Sequence, residues 1–176
     1  MRSAIIAVAL IVALPAAALD LAARALDYGV TEIGAAAAYL HVDDTENHSL
    51  ELELRGGKMI GAGMELELEG TLQRHWDDDA CTAAFGATGS FLYNIRTYAS
   101  WVPFFLAGGG LEHDRLSFDD ETETVTDAVM HFGIGTKLFF TESAALRAEY
   151  RFLNRLADPE SISSHRILIG LSAFLG

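Results

Sequence analysis

The sequence predicts an all-β fold: an eight-stranded antiparallel up-and-down transmembrane β-barrel preceded by a signal peptide. Three observations support this prediction. Leucine and glutamate alternate with a period of two in Leu50 to Leu54 and again in Met64 to Glu69, which places all apolar side chains of a strand on one face. Segments of strand length recur along the chain, separated in turn by acidic loops and short turns. The first residues are apolar and precede a run of small residues.

The N-terminal residues have the features of a secretory signal peptide. Arg2 precedes an apolar run from Ala4 to Leu14, and residues 16–18 are alanines. The run is shorter than the ~20 residues that a membrane-spanning helix needs. We expect cleavage after Ala18, which makes residues 1–18 the signal peptide, 19–30 an N-terminal linker and 31–176 the barrel. Small residues at Ala23 and Ala25 leave the cleaved bond open.

The composition excludes several classes of partner. The 25 acidic residues outnumber the 12 lysines and arginines, for a formal net charge of −13, which argues against binding to nucleic acid. Cys81 is the only cysteine, so an intramolecular disulfide is excluded. The stability of the chain must therefore come from the fold itself.

The first three strands are the most clearly marked. Thr31 to Val42 is an alanine-rich strand, Ser49 to Lys58 and Met64 to Trp76 are the two alternating strands, and the glycine-containing turn Ile60 to Gly63 joins them. The connections after the first and third strands are acidic. They contain Asp43 and Asp44 and the run 77–79.

The remaining chain repeats this arrangement with five more strands. A third acidic loop spans Asp119 to Glu123, and a fourth spans Asp158 to Ser161. Four acidic loops therefore lie at one end of the barrel, and three short turns lie at the other. The predicted strands are Cys81 to Tyr93, Trp101 to Leu116, Ala128 to Phe140, Ala144 to Leu156 and His165 to Leu175.

Alternation alone does not decide which face of the strands points inward. Glycine, alanine, serine and threonine recur beside the charged residues, which suits the narrow lumen of an eight-stranded barrel. Aromatic residues collect near strand ends, as in the interfacial girdles of membrane barrels. We therefore predict a polar interior and a lipid-facing apolar exterior, and a soluble barrel with its leucines inside is the alternative. The girdle residues are Tyr39, Trp76, Tyr93, Trp101, Phe139, Phe140, Tyr150 and Phe152.

The inward charges should form an ion-paired network, because an unpaired buried carboxylate is costly. We expect this network to fill the lumen, and eight strands leave no open channel. No metal or cofactor is expected, because the acidic loops lack the spacing of a calcium loop and the histidines are not at ligand spacing. The network residues are Glu51, Glu53, Arg55, Glu65, Glu67, Glu69, Glu112, Lys137, Arg147, Glu149, Arg151 and Arg166.

Several segments resemble the small outer-membrane β-barrel proteins of Gram-negative bacteria, the OmpA/OmpX-like group. They are Trp101-Val-Pro-Phe-Phe-Leu-Ala-Gly-Gly-Gly, Phe132-Gly-Ile-Gly-Thr-Lys-Leu-Phe-Phe, Leu146-Arg-Ala-Glu-Tyr-Arg-Phe and Ile169-Gly-Leu-Ser-Ala-Phe. The resemblance implies a monomer in the cell outer membrane that contacts outer-membrane lipid and lipopolysaccharide and is inserted by the barrel-assembly machinery. The resemblance is specific for architecture rather than activity, and we expect a non-enzymatic role in envelope integrity or surface interaction, through acidic extracellular loops. Such barrels usually end on an aromatic residue, whereas this chain ends on Gly176.

The last hairpin also resembles the lipid A deacylase (acyloxyacyl hydrolase) barrels. That family carries a His-x-Ser pair on the penultimate strand, and the matching residues here are Asn154 and Leu156. Neither provides a general base or a nucleophile. The alternative function is thus a lipid A-modifying ester hydrolase, or an inactive relative of one. Its candidate residues are Ser163 and His165, with Glu160 or Glu149 orienting the histidine.

Overall fold

The chain folds as one closed barrel of eight antiparallel strands, in which each strand pairs with the next and the first pairs with the last. This computed structural model describes residues 21–41, 48–77, 80–97, 99–118, 121–156 and 161–176. The predicted fold class is confirmed. The signal peptide, residues 1–18, lies outside the described residues and stays a prediction. The strands are β1 (Thr31–His41), β2 (His48–Met59), β3 (Met64–Asp77), β4 (Ala80–Asn94), β5 (Trp101–Phe118), β6 (Glu121–Thr141), β7 (Ala144–Leu156) and β8 (Ile162–Leu175).

The apolar side chains of the alternating strands point outward and the carboxylates point inward. Leu54 and Leu68 are 69% and 73% exposed, whereas Glu53 and Glu67 are 1% and 2% exposed. This arrangement suits a barrel surrounded by lipid, because apolar area in contact with acyl chains costs nothing in hydration. The soluble alternative, with the leucines inside, is wrong. Among the described residues, no helix is long and apolar enough to cross a membrane.

The hairpin of β5 and β6 is longer than the sequence indicated. Its register is continuous from Trp101 paired with Leu138 to Phe118 paired with Glu121, so β6 begins at Glu121 rather than at Ala128. Backbone pairing accounts for the difference, since it satisfies amide and carbonyl groups whatever the charge of the side chains. The two strands have 18 and 21 residues, whereas about 9 to 11 residues cross a bilayer.

A short helix, α1 (Leu21–Ala25), closes the end of the barrel at which the short turns lie. The Leu26 side chain that follows it is buried against Met59, Phe139 and Phe174. Backbone bonds tie this segment to β2, because the Met59 amide donates to the Val30 carbonyl at 2.9 Å. A helix of five residues does not form alone, so this helix depends on packing against the barrel. The predicted linker therefore contains a plug, the name we use for α1 and Leu26 together.

Only some of the aromatic residues at the turn end face outward as an interfacial girdle. Tyr93, Trp101 and Phe140 face outward, but Phe139 is buried and packs on Phe174 with ring centroids 4.9 Å apart. The prediction for Phe139 was wrong because neighbouring residues of a strand point to opposite faces. At the other end, the side chains of Tyr39 and Trp76 lie outside the described part of the structure.

Candidate functional site

The charged interior begins directly above the plug. The Lys137 ammonium donates to Glu32 Oε2 at 2.5 Å and to Glu65 Oε2 at 2.8 Å, and none of these side chains is exposed to solvent. Asn94 Nδ2 donates to the same oxygen of Glu65 at 3.1 Å, and Ser172 Oγ donates to Glu32 Oε1 at 2.6 Å. The Lys137 ammonium of β6 therefore links β6 to β1 and to β3, which are distant from it in the chain.

The second layer of the interior is centred on Arg147. Its guanidinium donates twice to Glu67, at 2.6 and 3.1 Å, and twice to Glu149, at 2.8 and 3.1 Å. It also lies 4.6 Å from the centre of the Phe104 ring. A planar guanidinium suits such two-pronged contacts with carboxylates. The layer links β7 to β3 across the barrel.

The third layer contains two arginines and three carboxylates. Arg151 Nη1 lies 2.5 Å from Glu69 and 3.2 Å from Glu53, and its Nη2 lies 2.5 Å from Glu149. Arg55 adds a contact of 3.0 Å to Glu53 and one of 3.6 Å to Glu149. Each carboxylate in this layer therefore contacts at least one cation.

A histidine and a serine extend the third layer. Ser90 Oγ donates to Glu69 Oε1 at 2.9 Å and lies 2.8 Å from His131 Nε2. The serine proton is directed at the carboxylate, so the histidine nitrogen is the donor to the serine oxygen. This order is the reverse of a nucleophilic triad, in which the histidine accepts the serine proton. All three side chains are buried in the lumen, away from any lipid substrate.

The fourth layer lies at the loop end and is partly exposed. Arg166 lies 2.7 Å from Glu51 and 3.8 Å from Glu112. Arg155 contacts Glu112 at 2.6 Å and also pairs with Asp114. About a fifth of the Arg155 and Asp114 side chains is accessible to solvent. The interior is thus sealed by the apolar plug at one end and reaches solvent at the other.

The structure brings every residue of the predicted network into these layers. Sequence reasoning missed Glu32, Asp114, His131 and Arg155. Glu32 could have been found, because it shares the inward parity of β1 with Gly34 and Ala36. Its alanine-rich surroundings contain no other charge that would mark the face.

Three interior carboxylates could in principle bind a cation. Glu32, Glu65 and Glu67 each offer an oxygen, and these oxygens lie within 4.8 Å of one another. The charges of Lys137 and Arg147 already contact all three groups. These two cations therefore already pair with the three carboxylates.

Ser163 and His165, two candidate residues of the hydrolase alternative, lie on the outward face of β8. His165 Nδ1 lies 2.6 Å from the Tyr150 hydroxyl, and Asn154 Nδ2 donates to Ser163 Oγ at 3.1 Å. Each predicted catalytic residue therefore has a different partner, and no bond joins them in the described part of the chain. Glu149 faces the lumen, so its predicted role in orienting His165 is wrong. Glu160 lies outside the described residues.

Comparison with known proteins agrees with this architecture. A family model described as "Outer membrane protein beta-barrel domain" matches residues 4–173. A search of curated proteins finds no match.

Among solved structures, Neisserial surface protein A (NspA) superposes with a TM-score of 0.67 at 14% identity, covering 82% of this chain and 95% of that chain. The N-terminal β-barrel domain of Pseudomonas aeruginosa OprF has a TM-score of 0.59 at 16% identity, covering 84% and 98%. The outer membrane enzyme PagL has a TM-score of 0.54 at 15% identity, covering 79% and 97%. At these identities the likeness shows the fold alone. The fold and the family match together place the protein in the outer membrane, and the chain belongs to the outer membrane protein β-barrel family.

Proposed function

We propose that the protein is a non-enzymatic outer-membrane barrel that acts in envelope integrity or surface interaction through its acidic loops. The observation that carries the proposal is the filled lumen. Buried ion pairs occupy it from Glu32 near the plug to Arg155 at the loop end, and an eight-stranded barrel is only wide enough for its own side chains. The described part of the interior is filled with side chains, so the proposal assigns the function to the outer surface and the loops.

The loops are proposed to face the outside of the cell. In outer-membrane barrels the short turns lie in the periplasm and the longer connections are extracellular. The acidic residues Asp43, Asp44, Asp78 and Asp79 lie outside the described residues, and their sequence supports the proposal through charge alone. Clustered carboxylates attract divalent cations, which would link the loops to phosphorylated lipids of the outer leaflet.

The test is complementation of a host strain that lacks the protein. The wild-type chain should restore exclusion of a hydrophobic antibiotic, because an intact outer leaflet blocks such compounds. A variant in which Asp43, Asp44, Asp78 and Asp79 are replaced by asparagine should insert normally and fail to restore exclusion. Glu142→Gln is the matched control, since Glu142 is an exposed acid on a turn at the opposite end. Full restoration by the loop variant would contradict the proposal.

One observation favours the hydrolase as the second candidate. Ser163 and His165 are both exposed on the outward face of β8, near the loop end, where outer-leaflet lipid would contact the barrel. The partner of His165 is Tyr150, which cannot stabilise an imidazolium as a carboxylate does. We therefore expect unchanged lipid A in a host that expresses the chain, measured by mass spectrometry. Loss of an acyl chain that Ser163→Ala and His165→Ala abolish would replace the leading proposal with the enzymatic one.

A further inference from the structure

The outer surface of the barrel has an apolar groove near the periplasmic ends of β2, β3 and β4. Its volume is about 680 Å³. We refer to it as the glycine groove, after the two outward glycines in it. It is lined by Gly56, Lys58, Leu66, Leu68, Gly89 and Phe91.

Neither side-chain packing nor backbone conformation requires glycine at positions 56 and 89. A Cβ at Gly56 would have no atom within 4 Å, and at Gly89 the nearest atom would be 3.6 Å away. The backbone does not require them either, because positive φ angles occur only at Gly29 and Gly63 among the described glycines. The strand register through both positions is continuous, without a bulge.

The other described strand glycines, apart from Gly70, are closely packed. A Cβ at Gly110 would overlap the backbone of β4, and one at Gly170 would overlap the backbone of β1. These glycines permit close strand contact, whereas Gly56 and Gly89 leave open space on the surface. Glycines in a strand mark bulges, tight bends or places where a ligand or another backbone approaches, and Gly56 and Gly89 differ from the equally open Gly70 in lining the groove.

The groove has a cation at its periplasmic end. Lys58 lies one residue before the end of β2, and its ammonium donates to the Gly29 carbonyl at 2.5 Å and to Thr31 Oγ1 at 3.1 Å. An ammonium has three donors, so one is left for a ligand. No carboxylate pairs with Lys58 in the part of the chain that the structure describes.

We propose that the glycine groove binds a phospholipid of the inner leaflet with an anionic headgroup. One acyl chain would lie along Leu66, Leu68 and Phe91 above the two glycines, and the lipid phosphate would accept a hydrogen bond from Lys58. The combination of an apolar groove and one ammonium at its interfacial end matches the two parts of such a lipid. The proposal rests on the outer-membrane location and on the proposed periplasmic side of the short turns, and not on the role of the loops.

Charge argues against a second copy of the chain as the occupant. In a two-fold dimer the same patch faces itself, so the groove would bring two Lys58 ammonium groups together in a medium that screens charge poorly. A lipid phosphate has the opposite charge.

The test is native mass spectrometry of the processed, full-length protein released from nanodiscs that contain phosphatidylglycerol and phosphatidylcholine in equal amounts. We expect retained phosphatidylglycerol to exceed phosphatidylcholine by about fivefold, the upper range for one exposed charge pair. Gly56→Leu combined with Gly89→Leu should fill the groove and remove most of the retained lipid. Lys58→Gln should retain lipid without the preference for phosphatidylglycerol.

Gly70→Leu is the matched control. Gly70 is an outward glycine of β3 with no atom within 4 Å of a Cβ, and it lies outside the groove, so its variant should retain lipid like the wild type. Heat-dependent migration on SDS gels establishes folding of each variant. If the wild type retains no phosphatidylglycerol, or if the folded groove and Lys58 variants match it, the proposal is overturned. Release of a dimer that the groove variant abolishes would assign the groove to a second copy instead.

Discussion

The ammonium of Lys137 lies 2.5 Å from Glu32 Oε2, although the two residues are 105 positions apart in the chain. Lys137 belongs to β6 and Glu32 to β1, so the bond crosses the lumen just above the apolar plug. Both side chains are fully buried. A buried charge is tolerated only with a partner, and the cost of leaving it alone exceeds the gain of most surface pairs.

Lys137→Met should therefore be strongly destabilising. It leaves the carboxylates of Glu32 and Glu65 buried without their shared cation, at a cost of about 3 to 5 kcal/mol. The free energy of unfolding can be measured by urea titration in lipid vesicles, with tryptophan fluorescence as the signal.

Arg24→Gln is the control for this prediction. Arg24 pairs with Glu142 at 3.8 Å on the exposed surface, and loss of such a pair should cost less than about 1 kcal/mol. Equal stabilities for the two variants would show that the interior charges are not held as the structure indicates.

Leu54→Arg tests the outward orientation of the leucines. Leu54 lies near the middle of β2 and is exposed, so an arginine there would meet the centre of the bilayer at a cost of about 2 to 4 kcal/mol. Ile60→Arg, in the turn after β2, should cost at most about 1 kcal/mol because it lies near the interface. The measurement is equilibrium unfolding in vesicles. A Leu54 variant as stable as the Ile60 variant would contradict the assignment.

Leu26→Ala should loosen the plug. The Leu26 side chain is buried in the apolar cluster with Met59, Phe139 and Phe174, and a buried Leu→Ala change costs about 2 to 5 kcal/mol. This free-energy cost should mainly weaken the packing of α1 against the barrel. Trypsin should therefore cut after the exposed Arg24 faster than in the wild type.

Tyr28→Ala is the matched control for the plug, because Tyr28 is exposed and its removal should leave the cleavage rate unchanged. Similar rates for the Leu26 variant and the wild type would mean that the plug is not held by this packing.

Gly110→Ala should disturb the pairing of β4 with β5. A Cβ at Gly110 would overlap the carbonyl oxygen of Ala87, and such overpacking costs about 1 to 3 kcal/mol. Gly70→Ala adds the same methyl group where no atom lies within 4 Å and should be neutral or stabilising. The measurement is the temperature at which half of each variant shifts to the migration of the unfolded protein on SDS gels. Equal midpoint temperatures for the two variants would contradict the prediction.

Most of the fold could be predicted from the sequence because a barrel strand is a local pattern. In β2 and β3 the leucines and glutamates differ so much in polarity that one register alone is possible. The helix α1 could not be predicted, since five residues carry no helical periodicity and the segment is ordered only by contacts with Met59 and Phe174.

The interior network was predictable as a set of residues but not as a set of pairs. Parity places Glu67 and Arg147 on inward faces, yet only the closed barrel brings β3 opposite β7. The partner of His165 was missed for a similar reason. Tyr150 belongs to the neighbouring strand, and the register of β7 with β8 pairs His165 with Phe152 and makes Tyr150 its diagonal neighbour.

The extended pairing of β5 with β6 carries the sheet beyond the loop-end rim of the barrel. The strands remain paired up to Phe118 and Glu121, well beyond the length that the bilayer requires. The backbone amides and carbonyls of this ribbon are already paired with one another. A partner that binds its edges would not have to immobilise a flexible loop, and its association would carry a smaller entropy loss. The ribbon is thus suited to bind a partner as a preformed surface rather than as a segment that folds on binding.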